Sequence, residues 1–166
     1  MRNEDAFGRL VAVYHPRLRY FVRRLVDSPE AADDALQDAW LTAWRKLPRL
    51  EHPSAFVPWL YSIARHKAYH ALGRLPNCEA LGESDPPAAE SPEKDFTPED
   101  AAAIHRGLQN LKAEHREILV LRYIEGMPYE QIAGVVGCSA GTVKSRMHRA
   151  KNLLRQQMER IHHGHG

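Results

Sequence analysis

The sequence predicts an all-α protein made of two small helical domains joined by a flexible acidic linker, the second domain a helix-turn-helix. Three observations predict it. Apolar residues recur at spacings of three and four, as in Leu10, Val13, Tyr14, Leu18, Phe21, Val22 and Leu25, and no stretch sustains the alternation of a strand. Residues 75–100 hold five of the eleven prolines and one lysine against eight acids, a composition that opposes a packed core. Beyond them helical periodicity returns, and a glycine turn then separates a short helix from a strongly basic one.

The elements follow in order. Ala6 to about Arg74 is helical territory. Ser28 is placed to cap a helix with Pro29 in its first turn and Glu30, Asp33 and Asp34 complementing the positive end of the dipole. That helix should end near Leu47, because Pro48 cannot continue it. A loop, RLEHPSAFVP, leads to a third helix over roughly Trp59–Leu72. After the linker, helices are expected over Ala101–Leu111 and His115–Tyr123, with Gly126 and Pro128 as breakers, and then over Tyr129–Val136 and from Ala140 to about Arg160. Boundaries at 1–74, 75–100 and 101–166 result.

With 166 residues and 43% hydrophobic content, the chain suits two small cores. The N-terminal segment MRNEDAFGRL has no apolar stretch, so neither a secretion signal nor a membrane span is expected, and the location expected is cytoplasmic. Cys78 and Cys138 lack C-x-x-C spacing, which argues against a disulfide framework and a thiolate zinc site. Cys138 is expected as a small buried apolar group. No nucleophile with a base, phosphate loop or completed metal set stands out, so no catalytic residue, cofactor, metal or small-molecule substrate is expected. A metal pair at His66 and His70 lacks a third ligand nearby in sequence, and the tail IHHGHG is expected to fray.

The formal net charge is only +2, but it is segregated. Residues 1–74 carry 12 basic side chains against 8 acidic, and residues 142–166 carry 6 against 1. Two surfaces for a polyanion are implied, with an acidic tether between them. In the second domain Ala133 permits a close helix crossing and Gly137 supplies a left-handed turn. Ser139 caps the last helix, and Val143 and Met147 face inward. The outward set is Thr142, Lys144, Ser145, Arg146, His148, Arg149 and Lys151. On a helix lying in the major groove, such arginines bond guanine edges and such lysines neutralise phosphate.

Three stretches together resemble the extracytoplasmic-function sigma factors of bacterial RNA polymerase, over nearly the whole chain. "AADDALQDAWLTAWRKL" is similar to the family's polymerase-binding helix, "WLYSIARHKAYHALGR" to its helix for the −10 promoter element, and "YEQIAGVVGCSAGTVKSRMHRAKNLL" to its −35 reader. The resemblance implies that core RNA polymerase, promoter DNA and an anti-sigma factor are the partners. It also implies that the chemistry belongs to the polymerase. Asp34, Gln37, Asp38 and Leu41 lie at i, i+3, i+4 and i+7, a mixed stripe suited to a partner helix. The resemblance implies that this helix belongs to the clamp of the polymerase's largest subunit. Ala35, Leu36, Ala39 and Ala43 would then fill the core.

Trp59, Arg65, His66, Lys67, Tyr69 and His70 interleave rings and cations, as a helix holding a melted strand requires. Arg65, His66, Lys67 and His70 are expected to be exposed. By resemblance, this helix and the loop Leu50–Val57 would capture a flipped base of the −10 element. The chain carries His66 where the family usually has Asn, His70 where it has a small polar residue, and only Gly73 and Arg74 where it has an arginine run. The acidic linker would lie toward the polymerase cleft. Two other classes fit part of the pattern. A helix-turn-helix regulator would bind duplex DNA without conferring initiation, and an enzyme would use the histidines.

Overall fold

A computed structural model describes residues 2–74 and 96–164. The described residues form seven α-helices: α1 (Arg2–Leu25), α2 (Pro29–Lys46), α3 (Phe56–Ala71), α4 (Ala101–Leu108), α5 (Ala113–Leu119), α6 (Tyr129–Val136) and α7 (Ala140–His163). No strand occurs among the described residues. They divide into two units, one centred on α1–α3 and one on α4–α7.

In the first unit α2 packs on α3 and both pack on α1. Leu18, Phe21, Val22 and Leu25 of α1, Leu36 of α2 and Leu60 and Tyr61 of α3 are buried. Their removal from water supplies the main stabilisation, about 1.5–3 kcal/mol per large side chain. Ala32, Ala35, Ala39 and Ala43 line the inner face of α2, and their short side chains permit close approach to its neighbours. Val13 departs from its place in the apolar periodicity and is 58% exposed. Ser28 caps α2 as expected, accepting from the Ala31 N–H at 3.3 Å. Its hydroxyl donates to Glu30 at 3.0 Å. Bonds from the Glu30 backbone N–H and from Ser28 hold that carboxyl below its usual range. A single 3-10 turn, Leu47–Arg49, absorbs Pro48. Helix α3 starts three residues before the predicted point, because a proline in a helix's first turn costs no hydrogen bond and Pro58 stands there.

In the second unit residues 96–100, assigned above to the linker, are the ordered lead-in to α4. The Thr97 backbone N–H and hydroxyl bond to the Asp100 carboxylate at 2.8 and 3.2 Å. The Phe96 ring stands edge-on to Tyr123, with centroids 5.2 Å apart. The rest of the predicted linker, with its expected flexibility and acidic role, lies outside the described residues. Helices α4 and α5 both pack on α7. At Gly107 a Cβ would stand only 2.5 Å from Leu154 Cδ1, so hydrogen alone sets how closely α4 meets α7. Val120–Ile124 continues α5 as a π-helical turn. Arg122 ties that turn to the next segment, donating to the Met127 carbonyl at 3.1 Å and lying over the Tyr129 ring.

Gly137 adopts φ 71° between α6 and α7, the conformation its position predicted. Cys138, beside it, is half-buried where a buried group was expected, and Cys78 lies outside the described residues. Helix α7 runs through His163, whose Nδ1 bonds the Glu159 carbonyl at 2.8 Å, so the described part of the tail is helical where fraying was expected.

Candidate functional surfaces

Three surfaces gather the residues singled out by sequence. On α2, Asp34, Gln37, Asp38 and Leu41 are all exposed, while Ala35, Leu36, Ala39 and Ala43 are buried. The helical period separates the two sets, and the helix turns a stripe of two carboxylates, an amide and a leucine to solvent. Leu41 and Trp44 are 48% and 39% exposed. Trp44, one turn beyond Leu41, extends the stripe, and its spacing of three from Leu41 was the available signal. Beside the stripe a groove of about 600 Å³ opens between α1 and α2, lined by Phe7, Val11, His15, Trp40, Leu41 and Trp44. The Phe7 ring packs edge-on against Trp44 at 4.9 Å and against Trp40 at 5.8 Å. Arg19 and Asp33 bridge α1 and α2 on the same side at 3.3 Å.

The second surface is the start and outer face of α3. Trp59 is half-buried and borders a pocket of about 400 Å³ with Lys46, Arg49, Glu51 and His52. Most of its lining comes from the connection between α2 and α3, with its two 3-10 turns at Pro48 and Pro53. His66 and His70 are exposed and Lys67 is half-buried. Arg65, expected at the surface, is 5% exposed, and Tyr69 is 9% exposed. The Arg65 guanidinium lies over the Tyr69 ring at 4.7 Å. A guanidinium can cover an aromatic face while losing water, and this pairing draws both inward. Trp59, His66, Lys67 and His70 are therefore the members of the set that solvent reaches.

The third surface is α7. The Ser139 hydroxyl accepts from the Thr142 N–H at 3.2 Å and lies 2.9 Å from the Thr142 hydroxyl. Lys144, Ser145 and Arg149 are exposed, and Thr142, His148 and Lys151 are half-buried. Ser145 bonds back to the Gly141 carbonyl at 3.2 Å. Arg146 is the exception. It is 8% exposed, because it falls one position from Met147 on the inward half of the helix and not among the outward cations. Asn152 and Arg155, outside the outward set named from the sequence, continue the face. Asn152 donates to Nε2 of His148 at 3.3 Å and accepts from Arg155 at 3.4 Å.

Next to this helix, on α5, His115 is 4% exposed. Desolvation pushes its pKa down, Glu114 opposes this, and Arg149, Lys112 and Arg146 add to the depression. Its imidazole is accordingly neutral near pH 7. No group of three or more His, Cys, Asp or Glu side chains able to hold a metal occurs among the described residues. No helix among the described residues is long and apolar enough to cross a membrane.

Comparison with known proteins places both units. Residues 10–75 match the model of sigma-70 region 2, and residues 101–154 match that of sigma-70, region 4. The chain is 34% identical to RNA polymerase sigma factor CarQ of Myxococcus xanthus, over 92% of this chain and 89% of that protein. It is 31% identical to the ECF RNA polymerase sigma-E factor of Escherichia coli K12, over 95% and 88%. Among solved structures it is similar to the sigma factor RpoE in complex with the anti-sigma factor NepR from Bartonella quintana. That match has a TM-score of 0.68 at 28% identity over 93% of this chain and 97% of the other. CnrH, solved in complex with the cytosolic domain of CnrY, matches with a TM-score of 0.65 at 26% identity over 94% and 89%.

Proposed function

Because the chain belongs to the extracytoplasmic-function sigma factors of RNA polymerase, we propose that its two units divide promoter recognition between them on the surface of the core enzyme. The factor directs core polymerase to specific promoters and initiates transcription there. The observation that carries this is the presence of region 2 and region 4 in one chain, in that order. A helix-turn-helix regulator would need only the second. The factor leaves phosphodiester chemistry to the polymerase and works in the cytoplasm, where that enzyme meets promoter DNA.

Asp34, Gln37, Asp38 and Leu41 form the contact with the polymerase clamp helix, supported by the exposed stripe on α2 and by the apolar groove that adjoins it at Leu41. Trp59, His66, Lys67 and His70 hold the melted −10 strand, with the pocket beside Trp59 receiving a flipped base. Arg65 and Tyr69 support that helix from within. Lys144, Ser145 and Arg149, flanked by Thr142, His148 and Lys151, meet the −35 element in the major groove. Arg146 holds α7 in place. An anti-sigma factor regulates the chain, as the complex of the related RpoE with NepR suggests.

The test is reconstitution. Purified core polymerase plus this chain is expected to start transcripts at discrete sites on genomic DNA, mapped by sequencing their 5′ ends. The absence of any start beyond those of core alone would overturn the reading, and duplex binding without initiation would assign the chain to the regulators.

A further inference from the structure

Helix α1 carries an unassigned basic face. From Ala6 to Val26 it holds five arginines and no acid or lysine. One of the five, Arg19, is engaged by Asp33 of α2 at 3.3 Å. Arg17 is exposed, and its guanidinium lies 5.3 Å from the centre of the Tyr14 ring. Two turns further on, Arg24 lies 4.2 Å from the centre of the Tyr20 ring. Seven residues of helix separate the two guanidiniums' backbone positions by about 10 Å, so both pairs can be met by a single extended strand.

This face is joined to the α3 pocket by packed rings. Tyr14 meets Phe56 edge-on at 5.5 Å, and Phe56 lies 5.9 Å from Trp59. Phe56 is 8% exposed and acts as the buried link, while half-buried Tyr14 and Trp59 reach the surface on either side of it. Three ring contacts thus lead from the pocket bordered by Trp59 to Arg17.

We propose that Tyr14, Arg17, Tyr20 and Arg24 on α1 form a second single-strand contact, which binds the sugar–phosphate backbone of the promoter strand leaving the Trp59 pocket. The assignment rests on the sigma-factor reading of that pocket. Arginines interleaved with tyrosines suit a nucleic-acid strand, because guanidinium binds phosphate with paired hydrogen bonds and ring faces stack on unpaired bases. An acidic protein partner would need only the charge. Glu4 and Asp5 stand in the first turn of α1, and from Ala6 onward the helix carries no acid, so positive charge prevails along that stretch.

The experiment measures open-complex formation by reconstituted holoenzyme as a function of salt, at a promoter found by the transcript mapping above. Each phosphate contact on a single strand contributes about 0.7 to the slope of log K against log salt concentration. Arg17→Gln should make the slope shallower by about 0.7, Arg17→Lys should restore it, and Arg24→Gln should give a second decrement of similar size. Arg19→Gln, on the same helix but paired with Asp33, should leave the slope unchanged. Equal slopes for wild type, Arg17→Gln and Arg24→Gln would overturn the proposal. So would an equal decrement in Arg19→Gln, which would mark a general charge effect. If Arg17→Gln folds poorly in a thermal melt, Arg24→Gln and Arg17→Lys carry the same decision. A wild-type holoenzyme that forms no open complex would instead refute the sigma reading.

Discussion

The indole N–H of Trp40 donates to Nδ1 of His15 across 3.1 Å, joining α1 to α2 in the groove beside the exposed α2 stripe. Indole can only donate, so the bond requires Nδ1 to accept and places the imidazole proton of neutral His15 on Nε2. The rings lie 29° apart with centroids at 6.5 Å.

Trp40→Phe keeps most of the buried ring and removes the donor. It is expected to cost about 0.5–1.5 kcal/mol, the usual net worth of such a bond, seen as a lower melting temperature at unchanged helical content by circular dichroism. Melting identical to wild type would show that water replaces the indole without loss.

Arg149 and Arg146 are three residues apart on α7 and should respond differently to loss. Arg149→Ala, at an exposed position, is expected to weaken binding of a −35 duplex by about 1–3 kcal/mol if its contact is bidentate, with little change in melting. Arg146→Ala, at a position 8% exposed, should lower the melting temperature first, since its stem packs in the interior. Anisotropy titration and thermal melts on both variants check this. Equal effects on both readouts would place the two side chains in one role.

Asp38→Arg reverses the charge of an exposed carboxylate on the α2 stripe. Core polymerase association should fall by about tenfold or more, because the contact loses its carboxylate and must bury a bulky cation without a partner. The melting temperature should stay put. Competition against a reference sigma factor for limiting core reads the affinity, and wild-type competition would move the contact elsewhere.

His115 predicts a pH dependence for the second unit. Its folded pKa lies below the ordinary value of 6.5, with burial the largest cause. The unfolded chain therefore takes up the proton first, and stability contributed by the neutral ring is lost as pH falls below about 6.5. The loss continues until the folded pKa is passed. His115→Gln should show a smaller drop in melting temperature between pH 8 and pH 5.5 than wild type. An equal drop would assign the dependence to other groups.

The α2 stripe was legible because two opposite preferences share one helix. Alanines and Leu36 at helical spacing face inward, and the period that buries them exposes Asp34, Gln37, Asp38 and Leu41. Caps were equally legible. Ser28, Gly137 and Ser139 act on backbone groups within four residues of themselves, so their roles needed no knowledge of distant segments. Residues 96–100 read as linker because composition there is acidic and proline-rich, and composition does not register the contact of Phe96 with Tyr123, 27 positions away.

Local chemistry along the chain was sufficient for the helical class, the turn before α7, the amphipathic faces and the segregation of charge, since each depends on neighbours one to four residues apart. The inward turn of Arg65 and Arg146, the Trp40 to His15 bond, the pocket at Trp59 and the ring series from Trp59 to Arg17 required the assembled fold. A side chain's burial is decided by which other helix arrives over it, and that arrival is set by packing among residues tens of positions apart.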